Sequence, residues 1–378
     1  MAHESGLLAI AKHGYTTLSP DRNTVLSFDR EGRLYAYFSG GVTYRRTLAS
    51  VVEVRYRNGA RQRERLTPDQ AKDLFKEAYS IAAACYNDAS DEVKARLRDE
   101  ILPWTPERLL AQGREFARVY KPVTILPPDQ YLCIVLQATE GCTWNRCTFC
   151  SFYQDRPFRA KSPEEFAAHV SAVKAFLGKG AWMRKGIFLA DGNALALSLN
   201  RLEPLLVTAR EAFPGQAIYS FIDLYTGERK RIEDWRRLVD LGLERVYIGM
   251  ETGDDELLAF LNKPGSQEEL VGFVSDLKKA GVSVGLIVMV GVGGKEAKEA
   301  HAQATVAAIR RMPLAAGDLV YLSPFIEQPG SLYIRRRQEA GLTPMPEQEI
   351  EEELSRLAKQ IRSLGLKAAR YDIREFMY

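Results

Sequence analysis

The chain has few cysteines, no long apolar run and almost no net charge, and each of the first two shortages excludes a class of protein. Five cysteines in 378 residues do not form the disulfide framework of a small secreted fold. No run of eighteen or more apolar residues occurs, so we expect no membrane span. With 52 basic and 49 acidic residues the net charge is only +3, which gives no clear signal for a nucleic-acid partner.

The opening segment, MAHESGLLAIAKHGY, lacks the basic region and the uninterrupted apolar core of an export signal. Thiols without a disulfide pattern suit a reducing compartment, where a cysteine cluster more often binds a metal. We therefore expect a cytoplasmic protein.

The first third of the chain changes its pattern once. Residues up to about 65 alternate like strands around turn signals such as Asn58-Gly59, and helical periodicity begins near Thr67. Three prolines between 121 and 130 then mark a linker. We predict an N-terminal α+β domain over residues 1–125, strand-rich first and helical afterwards.

Beyond the linker, short apolar strands alternate with helices, two of which begin with capping boxes at Ser162 and Ser266. Near-continuously apolar strands separated by helices predict a parallel sheet covered by helices. The predicted fold class is therefore α/β, a partial (β/α)6 TIM-like barrel over residues 126–335, followed by a C-terminal helical extension over 336–378. The six strand candidates are YLCIVLQ, GIFLA, AIYSFI, RVYIGM, VSVGLIVMV and DLVYLS.

Three of the five cysteines stand in one loop directly after the first of these strands. Cys142, Cys147 and Cys150 have the spacing C-x4-C-x2-C, and no cysteine follows them. In parallel α/β folds the active site collects at the carboxyl ends of the strands. The loop thus lies where we expect catalysis.

Four interpretations of this loop compete. A structural zinc site needs four ligands, and His169, the nearest histidine, falls within a predicted helix. A plant-type [2Fe–2S] centre has this spacing but needs a fourth cysteine downstream. Chance clustering is the third interpretation. The fourth is a [4Fe–4S] cluster held by three cysteines, which leaves one iron open, as in a catalytic metal site.

With an aromatic residue, Phe149, just before the last cysteine, the loop resembles the signature of the radical S-adenosylmethionine (SAM) superfamily. The common spacing in that family is C-x3-C-x2-C, and here the first gap holds four residues. The resemblance implies that SAM binds the open iron. One-electron reduction would then cleave SAM to methionine and a 5′-deoxyadenosyl radical, which abstracts hydrogen from a substrate.

The same resemblance, over about residues 130–335, implies SAM contacts at successive strand ends. The second strand ends in an Asp-Gly-Asn sequence where the family binds the SAM ammonium group. The third offers polar groups for the methionine carboxylate or the ribose, and the fourth, GMETG, a carboxylate for the ribose hydroxyls. The fifth and sixth would flank adenine. The implied SAM-binding residues are Phe149, Asp191, Gly192, Asn193, Ser220, Asp223, Glu251, Val290 and Leu322, with Pro324 beside Leu322 near adenine.

We therefore expect an oxygen-sensitive enzyme with a [4Fe–4S] cluster and SAM as cofactors and a reductant protein of flavodoxin or ferredoxin type as partner. The alternative is a non-catalytic iron–sulfur electron carrier or a metal-stabilised binding module. Only Cys85 and Cys133 remain outside the loop, which disfavours a second cluster. Nothing indicates a cobalamin-binding domain. The substrate and the catalytic residues beyond the cofactors are not evident from the sequence.

Overall fold

The computed structural model describes residues 6–378, apart from the side chains of residues 60 and 61. The first five residues, which belong to the segment considered as an export signal, lie outside this range. The chain divides into two compact units. The first comprises the described residues up to 123 together with 171–185 and 377–378, and the second comprises 124–170 and 186–376.

The first unit is built on an antiparallel sheet whose seven strands lie side by side in chain order. Its turns follow local chemistry. Between β3 and β4, the carboxylate of Asp29 accepts hydrogen bonds from the amides of Glu31 and Arg33, and Gly32 adopts a φ of +82°. The strands are β1 (Leu8–Ala11), β2 (Tyr15–Asp21), β3 (Thr24–Asp29), β4 (Leu34–Ser39), β5 (Val42–Arg46), β6 (Val52–Asn58) and β7 (Ala60–Arg65).

Three helices of this unit follow the sheet in the chain: α1 (Pro68–Ala84), α2 (Asp91–Arg96), which continues into a π-helical turn (Leu97–Ile101), and α3 (Pro106–Val119). Thr67 and Gln70 form a capping box at the start of α1. The buried face of α1 shares one apolar core with the sheet, including Leu26, Phe28 and Phe75. Burial of these side chains is the main stabilising contribution in this unit.

The second unit carries a parallel sheet of seven strands, again in chain order from one edge to the other. A short antiparallel pair, β9 and β10, stands apart from it. All six strands predicted from the sequence are present. The strands are β8 (Ile134–Gln137), β9 (Thr139–Glu140), β10 (Arg159–Ala160), β11 (Ile187–Ala190), β12 (Ile218–Phe221), β13 (Leu243–Glu251), β14 (Ser283–Val290), β15 (Leu319–Pro324) and β16 (Lys367–Arg370).

Helices connect the successive parallel strands, and Ser162 and Ser266 form the predicted capping boxes. They are α4 (Pro163–Leu177), α5 (Leu199–Ala212), α6 (Leu224–Gly227), α7 (Ile232–Asp240), α8 (Asp255–Phe260), α9 (Gln267–Lys279), α10 (Gly294–Arg311), α11 (Leu332–Glu339) and α12 (Glu347–Ser363). Among the described residues, no helix is both long enough and apolar enough to cross a membrane.

The predicted fold class, a parallel α/β fold of the partial-barrel kind, is confirmed. The sheet has one strand more than predicted, because β16 from the C-terminal region pairs with β15. Buried apolar runs made the other six strands recognisable. In contrast, the four residues of β16, KAAR, are polar or small and mostly exposed. The predicted domain boundaries stay a prediction.

Candidate iron–sulfur and SAM site

The cysteine loop is closed at its base and anchored along its length. β9 and β10 pair through Glu140 with Arg159, so the loop between them leaves and re-enters the fold at one point. Beyond this base, the loop is tied to the segment after α8. The amide of Thr148 donates to the carbonyl of Leu261 at 2.9 Å, and the indole of Trp144 donates to the carbonyl of Asn262 at 2.8 Å.

The four-residue gap between Cys142 and Cys147 has a conformational explanation. Asn145, inside the gap, adopts a left-handed φ of +48°, which asparagine tolerates better than most residues. Its side-chain amide donates to the carbonyl of Tyr153 at 2.9 Å, and the side chain of Asn262 donates to the carbonyl of Arg146 at 2.8 Å. These contacts fix the longer gap without any contribution from the cysteines.

All three cysteines of the loop line one cavity in the second unit, which encloses about 1110 Å³ including space open to solvent. Four of the predicted SAM-binding residues line the same cavity: Phe149, Gly192, Asp223 and Glu251. They come from the cysteine loop and from the ends of three different parallel strands. The fold thus brings together residues far apart in sequence at the carboxyl edge of the sheet.

The thiols suit an iron–sulfur cluster. None of the three is in a disulfide, and burial raises the pKa of Cys147 to about 12 and that of Cys150 to about 11. Both therefore hold their protons until a metal displaces them. Within the described part of the chain, no three His, Cys, Asp or Glu side chains converge on a single ion. A cluster makes a different demand, because each thiolate binds its own iron atom.

Glu251 ends β13 in an unusual conformation. Its φ is +60°, and the pairing register with β14 shifts between Gly249 and Glu251. The carboxylate forms a largely buried ion pair of 3.0 Å with Lys263, which also lines the cavity. Burial opposes the charged form of Lys263, but its attraction to Glu251 and Cys147 raises the pKa above the usual value. Lys263 is not among the residues predicted for the site, because nothing in its local sequence distinguishes it from a surface lysine.

Packing explains the second glycine of the GMETG sequence, Gly253. A Cβ on Gly253 would lie 2.5 Å from backbone atoms of Ala304 in α10, so only glycine allows this approach. On the same helix, His301 is buried and its Nδ1 lies 2.8 Å from Thr252 Oγ1. His301 is therefore a packed residue beside the Glu251 turn.

Asp223 and Asn193 meet in one hydrogen-bond network with the cysteine loop. The hydroxyl of Thr143 donates to Asp223 at 3.0 Å, and the amide of Thr226 donates to the same carboxylate at 2.7 Å. The Asn193 side-chain amide donates to Thr143, Asp223 and Thr226. This network joins the ends of β11 and β12 to the loop that carries Cys142.

Two further predicted residues are engaged elsewhere and do not line the cavity. Asp191 pairs with Arg156 at 3.1 Å, and burial raises the pKa of Asp191 to about 6 even though Arg156 opposes the shift. The hydroxyl of Ser220 donates to the carbonyl of Leu189 at 2.7 Å, across two neighbouring strands. These two side chains therefore make contacts beside the ends of β11 and β12 and do not face the cavity.

Val290 and Leu322 also do not line the cavity, although their neighbours do. On β14 the cavity is lined by Ile287 and Met289, and on β15 by Ser323, with Pro324 at the strand end. Successive side chains of a strand point to opposite faces, so the choice of face decides which residues reach a ligand. The sequence locates the strand end but does not fix which face is turned to the cavity.

Residues 136–304 match the model of the radical SAM superfamily. The match covers a little under half of the chain, which is similar to the radical SAM superfamily over these residues. Radical SAM enzymes use a [4Fe–4S] cluster together with SAM and generally need an electron donor.

Solved structures that resemble the chain include three radical SAM enzymes. Coproporphyrinogen III oxidase from Escherichia coli aligns with 67% of this chain and 56% of its own, at 14% identity and a TM-score of 0.47. Methylornithine synthase aligns with 80% and 85%, at 15% identity and a TM-score of 0.42. The cobalamin-dependent enzyme OxsB aligns with 79% and 36%, at 12% identity and a TM-score of 0.42.

The chain spans only about a third of the length of OxsB. A comparison with curated protein sequences gives no significant match.

Proposed function

We propose that Cys142, Cys147 and Cys150 hold the [4Fe–4S] cluster and that the adjoining cavity binds SAM and a substrate. The single observation that carries this proposal is that the three cysteines, Gly192 and Glu251 line one cavity. When bound, the cluster and SAM supply a 5′-deoxyadenosyl radical that removes a hydrogen atom from the substrate. The chain's own residues bind and orient these partners and shield them from water.

The cavity-lining residues take the direct SAM contacts. Phe149 provides apolar contact, the backbone at Gly192 provides carbonyl acceptors for the ammonium group, and Glu251 accepts from the ribose hydroxyls. Lys263 holds the Glu251 carboxylate in place through its 3.0 Å ion pair. Asp223 lines the same cavity, and hydrogen bonds from Thr143 and Thr226 hold its carboxylate in place.

The remaining predicted residues support the site without lining the cavity with their side chains. Asp191, Asn193 and Ser220 hold the ends of β11 and β12 through the contacts described above. For Val290 and Leu322 we propose a backbone contact with adenine, because their side chains do not line the cavity. The electron comes from a flavodoxin- or ferredoxin-type partner, and we place the enzyme in the cytoplasm, where the thiols stay reduced.

The test is the release of 5′-deoxyadenosine by anaerobically reconstituted protein supplied with SAM and dithionite. The wild type should release it, and Cys147→Ala should not, because it lacks one cluster ligand. Cys85→Ala is the matched control, since Cys85 is buried in the other unit, and it should keep the activity. A four-iron cluster that ignores SAM would contradict the proposal and support an electron carrier or a binding module.

A further inference from the structure

Positive charge is concentrated in one short stretch of the first unit. Residues 42–65, which include β5, β6 and β7, contain seven arginines and no lysine, against two glutamates and no aspartate. This stretch therefore carries a net charge of +5, whereas the whole chain carries only +3. The near-neutral total conceals a strongly basic region.

The strand pairing places at least five of these arginines on one face of the sheet. Successive side chains of a strand point to opposite faces, while residues paired across two strands share a face. β5 pairs with β6 through Arg45 and Glu53, and β6 pairs with β7 through Arg55 and Arg63. We call the shared face the arginine face. Its members include Phe38 on β4, Arg45 on β5, Glu53, Arg55 and Arg57 on β6, and Arg63 and Arg65 on β7.

The arginine face is open to solvent, whereas the other face of the sheet is not. Arg57 and Arg65 are exposed, and Phe38 and the remaining three arginines are half-buried. On the opposite face, Leu26 and Tyr37 are 0% and 2% exposed, because they belong to the apolar core shared with α1. The arginines are therefore available to a partner in solution.

The two glutamates of this stretch do not neutralise the arginine face. Glu53 is buried and pairs with Arg55, so it offsets one charge. Glu64 pairs across the strands with Val54 and accepts a hydrogen bond from the hydroxyl of Tyr56, which places it on the opposite face. The arginine face keeps a surplus of positive charge.

The arrangement of the arginines has a cost that a ligand would offset. Arg55 and Arg63 lie directly opposite each other on β6 and β7, and like charges in that position destabilise a sheet. Arg57 and Arg65 form no ion pair with any described residue. Charge that protects a sheet edge explains arginines on β7, which is an edge strand, but not on β5 and β6, which lie inside the sheet. A bound polyanion would account for all three strands.

Two features favour a nucleic acid over an acidic protein as this polyanion. Every cation of the stretch is an arginine, whose planar guanidinium matches a phosphate in bidentate geometry, whereas lysine acts as a point charge. Phe38 lies in one row with Arg55 and Arg63, joined through Thr43. Proteins that bind single strands combine a basic surface with aromatic rings on which bases stack.

We propose that the arginine face binds single-stranded nucleic acid, with Arg57, Arg63 and Arg65 on the phosphates and a base stacked on Phe38. The inference goes beyond the proposed function and does not depend on it, because it concerns residues of the first unit alone.

Fluorescence anisotropy of labelled oligonucleotides tests the proposal on the full-length, reconstituted protein. The probes are oligo(U) RNA and oligo(dT) DNA of about 16 nucleotides, the upper end of the site size of a single-strand-binding fold, and a DNA duplex of the same length. Poly-L-glutamate serves as an acidic competitor that has no bases. Each titration is repeated over a range of salt concentrations.

Three variants are compared with the wild type. The double variant Arg57→Gln, Arg65→Gln removes two charges from the arginine face. The matched control, Arg114→Gln, Arg118→Gln, removes the same charge from two exposed arginines of α3 that form no ion pair with any described residue. Phe38→Leu removes the aromatic ring and keeps the charge.

Each phosphate contact on a single strand contributes about 0.7 to the slope of log affinity against log salt. Arg57→Gln, Arg65→Gln should therefore lower this slope by about 1.4 and weaken binding at about 50 mM salt by roughly tenfold or more. The control should change neither quantity appreciably. Phe38→Leu should weaken binding by about fivefold or more, the value of one stacked base, without changing the slope.

Both single strands should bind more tightly than the duplex, and the tighter of the two identifies the sugar that is preferred. The thermal unfolding midpoint of Arg57→Gln, Arg65→Gln should not fall below that of the wild type, because the change reduces repulsion between like charges. A loss of binding then reflects the surface and not the fold.

Four results would overturn the proposal. Neither single strand binds, or the control variant loses as much affinity as Arg57→Gln, Arg65→Gln, which would reduce the effect to net charge. Wild-type affinity in Phe38→Leu, or displacement of the oligonucleotide by poly-L-glutamate at equal charge concentration, would instead assign the arginine face to an acidic protein.

Discussion

The ion pair between Glu251 and Lys263 offers the sharpest test of how the site is built. Replacing Lys263 by methionine keeps the length of the side chain but removes its charge. The two side chains are 9% and 15% exposed and their charged atoms are 3.0 Å apart. The change therefore leaves the Glu251 carboxylate buried beside the cysteine loop without its described countercharge.

The expected loss of stability follows from these values. At an effective dielectric constant of about 20, two unit charges at this distance attract each other by about 5 kcal/mol. Removing one partner of a buried pair typically costs about 3–5 kcal/mol. The residual exposure places this pair at the lower end, so Lys263→Met should lower the free energy of unfolding by about 3 kcal/mol. In the double variant Glu251→Gln, Lys263→Met, most of this loss should be recovered.

The assay is urea unfolding of the cluster-free protein, followed by tryptophan fluorescence, which includes the signal of Trp235, a residue fully buried in the second unit. If the fluorescence shows more than one transition, the transition that Lys263→Met shifts is fitted on its own. The reasoning would be refuted if Lys263→Met cost less than about 1 kcal/mol, or if the double variant were no more stable than Lys263→Met.

Three further predictions concern the surroundings of the site. Burial lowers the pKa of His301 to about 4 from its ordinary 6.5, so the unfolded chain binds more protons between these values. The contribution of His301 to stability should fall by about 2–3 kcal/mol between pH 7 and 4.5. The His301→Gln variant should lose this pH dependence. The variant and the wild type are compared at each pH, because Asp191, whose pKa is raised to about 6, stabilises the folded protein as the pH falls through the same range. Gly253→Ala should lower the free energy of unfolding by about 2 kcal/mol or more. Gly272→Ala is the control, because Gly272 lies in α9 with no atom near the new Cβ, and it should raise the free energy of unfolding by up to about 1 kcal/mol in the same denaturation assay. Equal effects of the two changes would contradict the packing argument. Asn145→Val should bind less iron on reconstitution than Asn145→Gly, because valine resists a φ of +48°, and equal iron contents would contradict this.

The strands were predictable because their signal is local. Runs such as GIFLA are fully buried in β11, and burial on both faces requires the continuous apolar sequence that made them visible. The cysteine spacing was equally local. β16 was missed because an exposed edge strand needs no apolar run.

The rest of the site depends on tertiary structure. Lys263 meets Glu251 only after α8 has returned the chain to the end of β13. The cavity side of β14 follows from packing, so that Met289 lines the cavity and Val290 does not. Tyr371, which also lines the cavity, was not predicted because it follows β16, the strand that the sequence pattern did not reveal. Sequence pattern identifies the strand ends where ligands bind, while the side chains that touch them are chosen by strand face and by distant partners.

The central claim is that three cysteines leave one iron of the cluster open to SAM. Electron–nuclear double resonance on the reduced, reconstituted protein tests it most directly, with SAM labelled at its amino nitrogen (¹⁵N) and carboxylate oxygens (¹⁷O). We expect hyperfine coupling of both labels to the cluster, because SAM binds the open iron through these groups. A reduced four-iron cluster whose spectrum shows no coupling to either label would contradict the claim.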